Sequence, residues 1–297
     1  MRSLYTLRPY GHSLPPHLIP MPTRHLIAVE NRYWHFRQQG DTTAETAIVL
    51  LHTFPGDSAM FAPLFDELSA LRPKMRLIAP DIPGYGGTDP LPRSPTSLQD
   101  YLPSFRAFFR ELGLRQVIVY GTGSGAQFAT AYSNAYPDKV ASVFLDDALQ
   151  AEGPEREYRL AYTFPDLTPQ PDGSHLPTVW QLATNLLQHF PWLGNHEAHH
   201  VDLPPTPEQI QRTAVEIMRA GADYVQGYRA AIHYAQMARV GHLPVPTTLF
   251  RRYANAEQPD APDQQELPAS IQLVDTPSAL SGHYKVVAER LLKGIKN

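Results

Sequence analysis

The sequence contains no cysteine. This absence excludes disulfide bonds, thiolate catalysis and cysteine-ligated metal sites, but it says little about the compartment. No apolar run approaches the roughly 20 residues of a membrane-spanning helix, and the first residues lack the uninterrupted apolar core of a signal peptide. The net charge is −4, and the Lys and Arg residues form no basic stripe of the kind that binds nucleic acid. We therefore expect a cytoplasmic protein whose partner is a small molecule rather than a nucleic acid or a membrane, and the sequence leaves a homodimer open.

Proline is abundant, with 30 residues, about twice its average usage, and the proline-punctuated residues 1–24 predict an N-terminal arm without regular structure. Strand and helix patterns alternate over residues 25–147, beginning with a predicted hairpin, as in an α/β fold. Residues 148–241 change character, because amphipathic helical patterns, the last of them at 222–240, follow one another there without a convincing strand. Residues 242–297 restore the strand pattern. The sequence therefore predicts an α/β core, formed by 25–147 and 242–297, with a helical cap at 148–241.

A short β-branched run at 117–120 leads directly into very small residues and then into helix-compatible sequence. This pattern is typical of a strand–turn–helix corner. A tight corner of this type needs small residues two positions before its centre and two and three positions after it, because the helix packs closely on the strand. A centre at Gly123 meets this requirement with Gly121, Gly125 and Ala126. A centre at Ser124 would place the long side chain of Gln127 in a crowded position, so we predict that the corner is centred on Gly123.

Four motifs, in this order and at compatible spacing, resemble those of the α/β-hydrolase superfamily over about residues 25–296. They are L-H-T-F-P-G at 51–56, D-I-P-G-Y-G-G-T-D at 81–89, the corner at Gly123, and S-G-H-Y at 281–284, which precedes a helix predicted over 284–296. The resemblance implies the α/β-hydrolase fold, in which a mostly parallel central sheet is flanked by helices and the helical cap is inserted after the sixth strand.

The resemblance also implies roles for individual residues. In this superfamily the corner is called the nucleophile elbow, and the residue at its centre is the nucleophile. Gly123 therefore marks a vacant nucleophile position. His283 matches the catalytic histidine. The backbone N–H groups of Thr53 or Phe54 and of Ser124 are expected to form an oxyanion hole.

The carboxylate partner of His283 has two candidate places. The usual one follows the strand predicted at 247–251, but the turn after that strand carries no aspartate where one is expected. The other place follows the sixth strand, where Asp147 lies 24 residues beyond the elbow centre. We favour Asp147 over Asp146, since alternation along a strand turns only one of two neighbours toward the cleft. The remaining alternatives are Asp260 and Asp263.

The expected pocket lies between the cap and the core. Its predicted substrate contacts are His52, Trp180 and Tyr228. The residues H-E-A-H-H at 196–200 match a zinc-binding pattern that requires a helix. A proline and a glycine precede the segment and two prolines follow it, which leaves room for little more than two helical turns. We therefore interpret the segment as a solvated part of the cap. We predict neither a metal nor a cofactor.

The leading hypothesis is a cofactor-independent enzyme that acts on a small, apolar carbonyl or ester compound and forms no serine ester. His283, oriented by Asp147, would act as general acid or base, either activating water for hydrolysis or moving a proton in a C–C lyase or isomerase reaction. One alternative is a serine esterase that uses Ser124 after a one-residue shift of the elbow. Another is a ligand-binding or scaffold protein of the same fold without turnover.

Overall fold

One eight-stranded sheet organises the molecule, whose computed structural model describes residues 21–148, 157, 160–188, 204–235, 237–252, 267–277 and 279–294. The strands, in chain order, are β1 (Thr23–Val29), β2 (Arg32–Gln39), β3 (Thr46–Leu51), β4 (Leu77–Pro80), β5 (Gln116–Thr122), β6 (Val140–Asp146), β7 (Thr247–Arg252) and β8 (Ile271–Thr276). Their order across the sheet is β1-β2-β4-β3-β5-β6-β7-β8. Strand β2 is antiparallel to β1 and β4, and the other neighbouring pairs are parallel.

Helices cover both faces of the sheet. The α-helices of the described residues are α1 (Ala62–Leu71), α2 (Leu102–Glu111), α3 (Ser124–Ala135), α4 (His175–Gln188), α5 (Pro207–Ala220), α6 (Gln226–Tyr234), α7 (Met237–Gly241) and α8 (Leu280–Lys293). Helices α1 and α8 share one apolar core with Ile48 and Leu50 of β3, whereas α2, α3 and α6 share the other with Val49 and Leu51. The central strands are therefore buried on both sides, which explains their continuous apolar runs. None of these helices is long and apolar enough to span a bilayer.

Among the described residues between β6 and β7 are α4 to α7, which are called here the helical segment. Helix α4 packs against α5, and α6 packs against α3 of the core. The single helix predicted over 222–240 is instead divided, because Ala235 adopts extended dihedral angles (φ −65°, ψ 100°) that end α6. Helices therefore do occur within residues 148–241, whereas the cap as a unit and its limits stay a prediction.

The predicted fold class is confirmed: a mostly parallel sheet is flanked by helices, and further helices follow the sixth strand. The predicted hairpin is β1 paired with β2. Because β1 begins at Thr23, the last two residues of the predicted arm, 23 and 24, belong to a strand. Residues 1–20 of that arm lie outside the described residues.

The last helix begins earlier than predicted. Helix α8 starts at Leu280, and the His283 N–H group donates to the Ala279 carbonyl at 3.0 Å. His283 therefore lies inside the first turn of α8 rather than in a loop before the helix. The position of its side chain is consequently fixed by the packing of α8 on the sheet.

The corner between β5 and α3 depends on close backbone contacts. A Cβ atom placed on Gly121 would lie 2.2 Å from the Gly125 carbonyl oxygen, and one placed on Gly125 would lie 2.2 Å from the Leu51 carbonyl oxygen. Both distances are far inside van der Waals contact, so no side chain fits at either position. This packing agrees with the small residues that the sequence pattern requires around a corner centred on Gly123.

Replacing Gly125 by alanine should therefore destabilise the fold. We expect Gly125→Ala to lower the free energy of unfolding by roughly 3 kcal/mol, at the upper end of the usual cost of overpacking. Denaturant unfolding monitored by circular dichroism would measure this change. The matched control is Gly241→Ala, whose new methyl group would lie at an ordinary 3.5 Å from Pro268 and should shift stability by less than about 1 kcal/mol. Equal stability of the two variants would contradict the proposed packing constraint.

Candidate functional site at the β5–α3 corner

Gly123 occupies the turn between β5 and α3 with φ 55° and ψ −123°. This backbone conformation strains residues that carry a Cβ atom. A Cβ atom placed here would also lie 2.7 Å from the Thr53 hydroxyl oxygen. The Gly123 N–H group donates to the Asp146 carbonyl at 2.9 Å, which fixes the corner to the end of β6. The corner is thus centred where the sequence predicted, and it holds no side chain at its apex.

The Ser124 side chain is fully buried at the first position of α3. Its hydroxyl oxygen accepts a hydrogen bond from the Phe54 N–H group at 2.7 Å and lies 3.0 Å from the Thr53 hydroxyl oxygen. The Ser124 N–H group in turn donates to the Thr53 hydroxyl oxygen at 3.4 Å. The residues expected to form an oxyanion hole are therefore brought together. In this conformation, however, the N–H groups of Phe54 and Ser124 donate to hydroxyl groups of the protein itself.

The carboxylate that contacts His283 is that of Asp146, so the predicted contact with Asp147 is not formed. The His283 Nε2 atom lies 2.7 Å from Asp146 Oδ2. Alternation along β6 explains the difference, because Asp146 shares the face of Phe144, which packs in the core beside α8. Asp147 follows the strand with φ 44°, where the chain has already turned away from it.

The Asp146–His283 pair is closed to solvent in this conformation. Both side chains are 1% exposed or less, and the second ring nitrogen of His283, Nδ1, lies 2.8 Å from the Thr276 hydroxyl oxygen. The Tyr120 hydroxyl donates to the same Asp146 oxygen. Burial, with the nearby charge of Asp146, raises the pKa of Tyr120 well above its usual range, so this hydroxyl remains a donor. Neither His283 ring nitrogen is free to contact a ligand without rearrangement.

His52 is buried and supports the loop after β3 rather than facing a ligand. Its Nε2 atom accepts from the Ile82 N–H group at 2.9 Å, and its Nδ1 atom lies 3.0 Å from the Thr53 carbonyl oxygen. An acceptor at Nε2 and a donor at Nδ1 define a neutral imidazole. Burial lowers the pKa of His52, although Asp81 and Asp57 oppose this effect. Both ring nitrogens thus have partners within the protein in this conformation, and the substrate contact predicted for His52 stays a prediction.

A second histidine–carboxylate pair lies beside the same loop. Asp81 Oδ2 contacts His35 Nδ1 at 2.7 Å and accepts from the Gly87 N–H group, while Oδ1 accepts from the Ser58 N–H group. Burial alone would raise the pKa of Asp81, but these hydrogen bonds and the nearby His52 lower it to about 2. Asp81 is thus a permanent anion that holds the loop of the second motif.

Glu216 of α5 is a carboxyl group at the junction between the helical segment and the core. A Cβ atom placed on Gly56 would lie 3.8 Å from Glu216 Oε2, so the carboxyl group faces the loop after β3. Burial and the charge of Asp57 raise the pKa of Glu216 to about 7, against the opposing charges of Arg212 and Arg219. One turn further along α5, Arg219 forms an ion pair with Asp57 at 3.4 Å.

The two aromatic contacts predicted in the cap have different environments. Tyr228 is buried and lines a narrow slot of about 10 Å³ with Pro55, Phe164 and Tyr224. Trp180 on α4 is 44% exposed, and it does not line this slot. Tyr228 is therefore close to the loop that carries Phe54, whereas Trp180 stays a prediction without a described contact to the site.

The remaining predicted positions lie outside the described residues. These are the histidine-rich segment at 196–200, Asp260 and Asp263. Within the described ranges, no three potential ligands from the His, Asp and Glu side chains converge on a common metal position.

Sequence reasoning missed three polar residues of the site. Tyr120 and Thr276 lie in apolar strands and have no distinguishing pattern of their own. Glu216 lies in an amphipathic helix, where a glutamate is normally solvated. Only the contact between α5 and the loop after β3 identifies it.

The part of the chain that runs from β3 through the corner and beyond α4 matches a known family. The family described as alpha/beta hydrolase fold matches residues 46–200, which is more than half of the chain. The chain belongs to the α/β-hydrolase family.

Individual relatives agree with this assignment. The human (lyso)-N-acylphosphatidylethanolamine lipase is 29% identical over 121 residues, which cover 40% of this chain and 34% of the lipase. Among solved structures, Cfl2 from Burkholderia cenocepacia has a TM-score of 0.67 at 19% identity and covers 97% of this chain and 100% of that chain. Epoxide hydrolase VrEH1 from Vigna radiata has a TM-score of 0.63 at 15% identity, covering 92% and 97%. The curated relative is thus matched over about a third of its length, and the two structures show the fold alone.

The raised pKa of Glu216 predicts a pH-dependent stability. The group has an ordinary pKa of 4.5 in the unfolded chain and about 7 in the folded chain. The folded state therefore holds the proton more tightly, so this contribution to stability is complete below about pH 4.5 and is lost as the pH rises to about 7. We expect Glu216→Gln to remove this part of the pH dependence, as measured by thermal unfolding between these limits. The control is the exposed Glu289→Gln, and equal pH profiles for both variants would contradict the assignment.

Proposed function

We propose that the chain is an enzyme of the α/β-hydrolase superfamily that acts on a small, apolar carbonyl or ester compound without forming a serine ester. Membership of the family supports an enzyme of this superfamily, and two curated relatives are named as a lipase and an epoxide hydrolase. The aromatic and aliphatic residues Pro55, Phe164 and Tyr228 favour an apolar compound, which would have to widen the slot of about 10 Å³ that they line.

The main support for the proposal comes from Gly123 and Ser124, the two residues at the turn between β5 and α3. Gly123 offers no attacking atom. Ser124 is buried, and its hydroxyl oxygen already accepts from the Phe54 N–H group. An acyl-enzyme mechanism needs an exposed hydroxyl group activated by an adjacent base, and Ser124 does not meet this requirement. An esterase that uses Ser124 therefore has no support from this geometry.

The N–H groups of Phe54 and Ser124 are the groups suited to hold a substrate oxygen. They now donate to the hydroxyl oxygens of Ser124 and Thr53, each of which lies on a rotatable side chain. A carbonyl oxygen that replaced these hydroxyl oxygens would keep both donors satisfied. Removal of one such donor typically costs about 10²–10³-fold in rate, so polarisation of the carbonyl would be a substantial catalytic effect here.

Proton transfer by His283 makes a further demand on the structure. A general base must lie within hydrogen-bond reach of the proton that it takes. Because His283 gives its two ring nitrogens to Asp146 and Thr276, the ring has to leave one of these partners in the substrate complex. Under this proposal, Asp146 replaces Asp147 as the residue that orients His283.

A second candidate function is ligand binding without turnover. It is favoured by one specific observation, namely that the donors at the corner and the His283 nitrogens are all bonded within the protein. Such a protein would bind the same class of compound and release it unchanged.

Two aspartate variants test the proton-transfer role once a converted compound is found. We expect Asp146→Asn to lower kcat toward the roughly 10²–10⁴-fold loss that is typical of acid–base catalysis. The neighbouring Asp147→Asn is the control and should remain within about threefold, well short of that range. Thermal unfolding of both variants separates a catalytic loss from a folding defect. The reverse order of effects would restore Asp147 as the acid, and binding without conversion of any carbonyl or ester compound would favour the second candidate.

A fluorophosphonate, which labels activated serines, tests the absence of a serine ester. We expect no adduct on the wild-type chain by intact mass, because the Ser124 hydroxyl is buried and bonded. Gly123→Ser should also stay unlabelled while losing about 1–3 kcal/mol of stability to backbone strain. An adduct on the wild type that Ser124→Ala abolishes would overturn the proposal. Labelling of the new serine that His283→Ala abolishes would show that the His283 ring reaches the corner.

A further inference from the structure

A cavity separate from the corner lies between the loop after β4 and the helical segment. Its volume is about 220 Å³, which is below the usual size of pockets for drug-sized ligands. One wall consists of core residues in the range 83–95, and the opposite wall consists of residues 219–226 at the end of α5 and the start of α6. The residues of the corner, Thr53, Gly123 and Ser124, do not line this cavity. The cavity therefore does not depend on the function proposed for the corner.

Tyr101 is a buried tyrosine in the wall of this cavity. The residue is 1% exposed and lines the cavity, and its hydroxyl group makes no hydrogen bond to the described residues. Burial raises the pKa of Tyr101, and the charges of Asp100 and Asp223 act in the same direction, so the hydroxyl remains protonated. Buried hydroxyl groups are normally hydrogen-bonded. Tyr101 therefore has an unused donor that a ligand in the cavity can satisfy.

The charged side chains of the lining favour an anion. They are the guanidinium groups of Arg93 and Arg219 and the carboxylate of Asp223. Arg93 forms no ion pair with a carboxylate of the described residues. Arg219 makes one contact, at 3.4 Å, to Asp57, and a planar guanidinium has five N–H donors. With Asp57 counted, the charges balance, but Arg93 has no carboxylate partner among the described residues and keeps its donors for a ligand.

Part of the remaining lining is apolar. It includes Pro83, Pro90, Leu91 and Pro95. Such a wall can pack against a hydrocarbon group but offers it no hydrogen bonds. A ligand that fits the cavity consequently has one anionic end and one apolar end.

We infer that this cavity binds a small organic monocarboxylate, whose carboxylate group contacts Arg93, Arg219 and the Tyr101 hydroxyl while its apolar body packs against the proline-rich wall. A carboxylate matches the guanidinium fork and accepts from the tyrosine hydroxyl at the same time. The bound ligand would join the core to the helical segment.

Benzoate is a suitable probe, and calorimetric titration of the full-length protein with it tests the inference. We expect saturable binding with a Kd of about 1 mM or tighter. Benzamide, which has the same shape without the charge, should bind at least about tenfold more weakly because charge-assisted hydrogen bonds are lost. Absence of saturable benzoate binding at about 10 mM would overturn the inference. Equal affinity for benzamide would overturn it as well, because the site would then not recognise the negative charge. Tighter binding of benzylamine would contradict it by showing that Asp223 makes this a cation site.

Matched variants locate the bound probe. Tyr101→Phe removes only the hydroxyl group, and we expect it to weaken benzoate binding about tenfold, as does Arg93→Gln. The controls are Tyr132→Phe, a buried tyrosine of α3, and Arg110→Gln, an exposed arginine of α2, neither of which lines the cavity. Thermal unfolding confirms that each variant is folded. Unchanged affinity in both Tyr101→Phe and Arg93→Gln, or an equal loss in the controls, would place the probe elsewhere.

Discussion

The hydrogen bonds of Asp146 are the constraint on which the geometry of the site depends. Its carbonyl oxygen accepts from Gly123, and its side chain accepts from Tyr120 and contacts His283. One residue at the end of β6 thus holds the corner, the neighbouring strand and the last helix together. A buried carboxylate requires such partners because transfer of an unpaired charge from water is costly. Loss of this residue would therefore disturb three elements of the fold as well as any proton transfer.

The corner combines two closely placed backbone N–H donors, those of Phe54 and Ser124, with the absence of a side chain at Gly123. The close approach of α3 to β3 and β5 leaves no room for a Cβ atom at positions 121 and 125, and both positions are glycine. The hydroxyl groups of Thr53 and Ser124 instead bind the N–H groups that a substrate oxygen would use. Under the proposed function, a substrate oxygen at this corner would have to compete with hydrogen bonds that already exist, which favours ligands with a strongly accepting oxygen.

The fold could be predicted from the sequence because its strands are buried on both faces and its corner requires small residues. Both features leave local patterns that need no knowledge of distant contacts. The carboxylate partner of His283 could not be predicted in the same way, since alternation separates Asp146 from Asp147 without saying which face meets α8. The start of α8 was also ambiguous, and a shift of about one turn changes His283 from a loop residue into a buried helical one. Glu216 and Tyr101 depend on contacts between segments far apart in the sequence, for which a single sequence has no signal.

The contact between position 123 and Thr53 has a consequence for the history of this branch of the family. A Cβ atom at position 123 and the hydroxyl oxygen of Thr53 would be only 2.7 Å apart. The two positions therefore compete for one volume in this side-chain conformation, so a side chain at position 123 requires the residue at position 53 to be smaller or to reorient. Homologous chains with a side chain at position 123 should accordingly have a smaller or differently oriented residue at position 53. Substitutions at these two positions should be inherited as a pair, and the intermediate with both side chains should be rare.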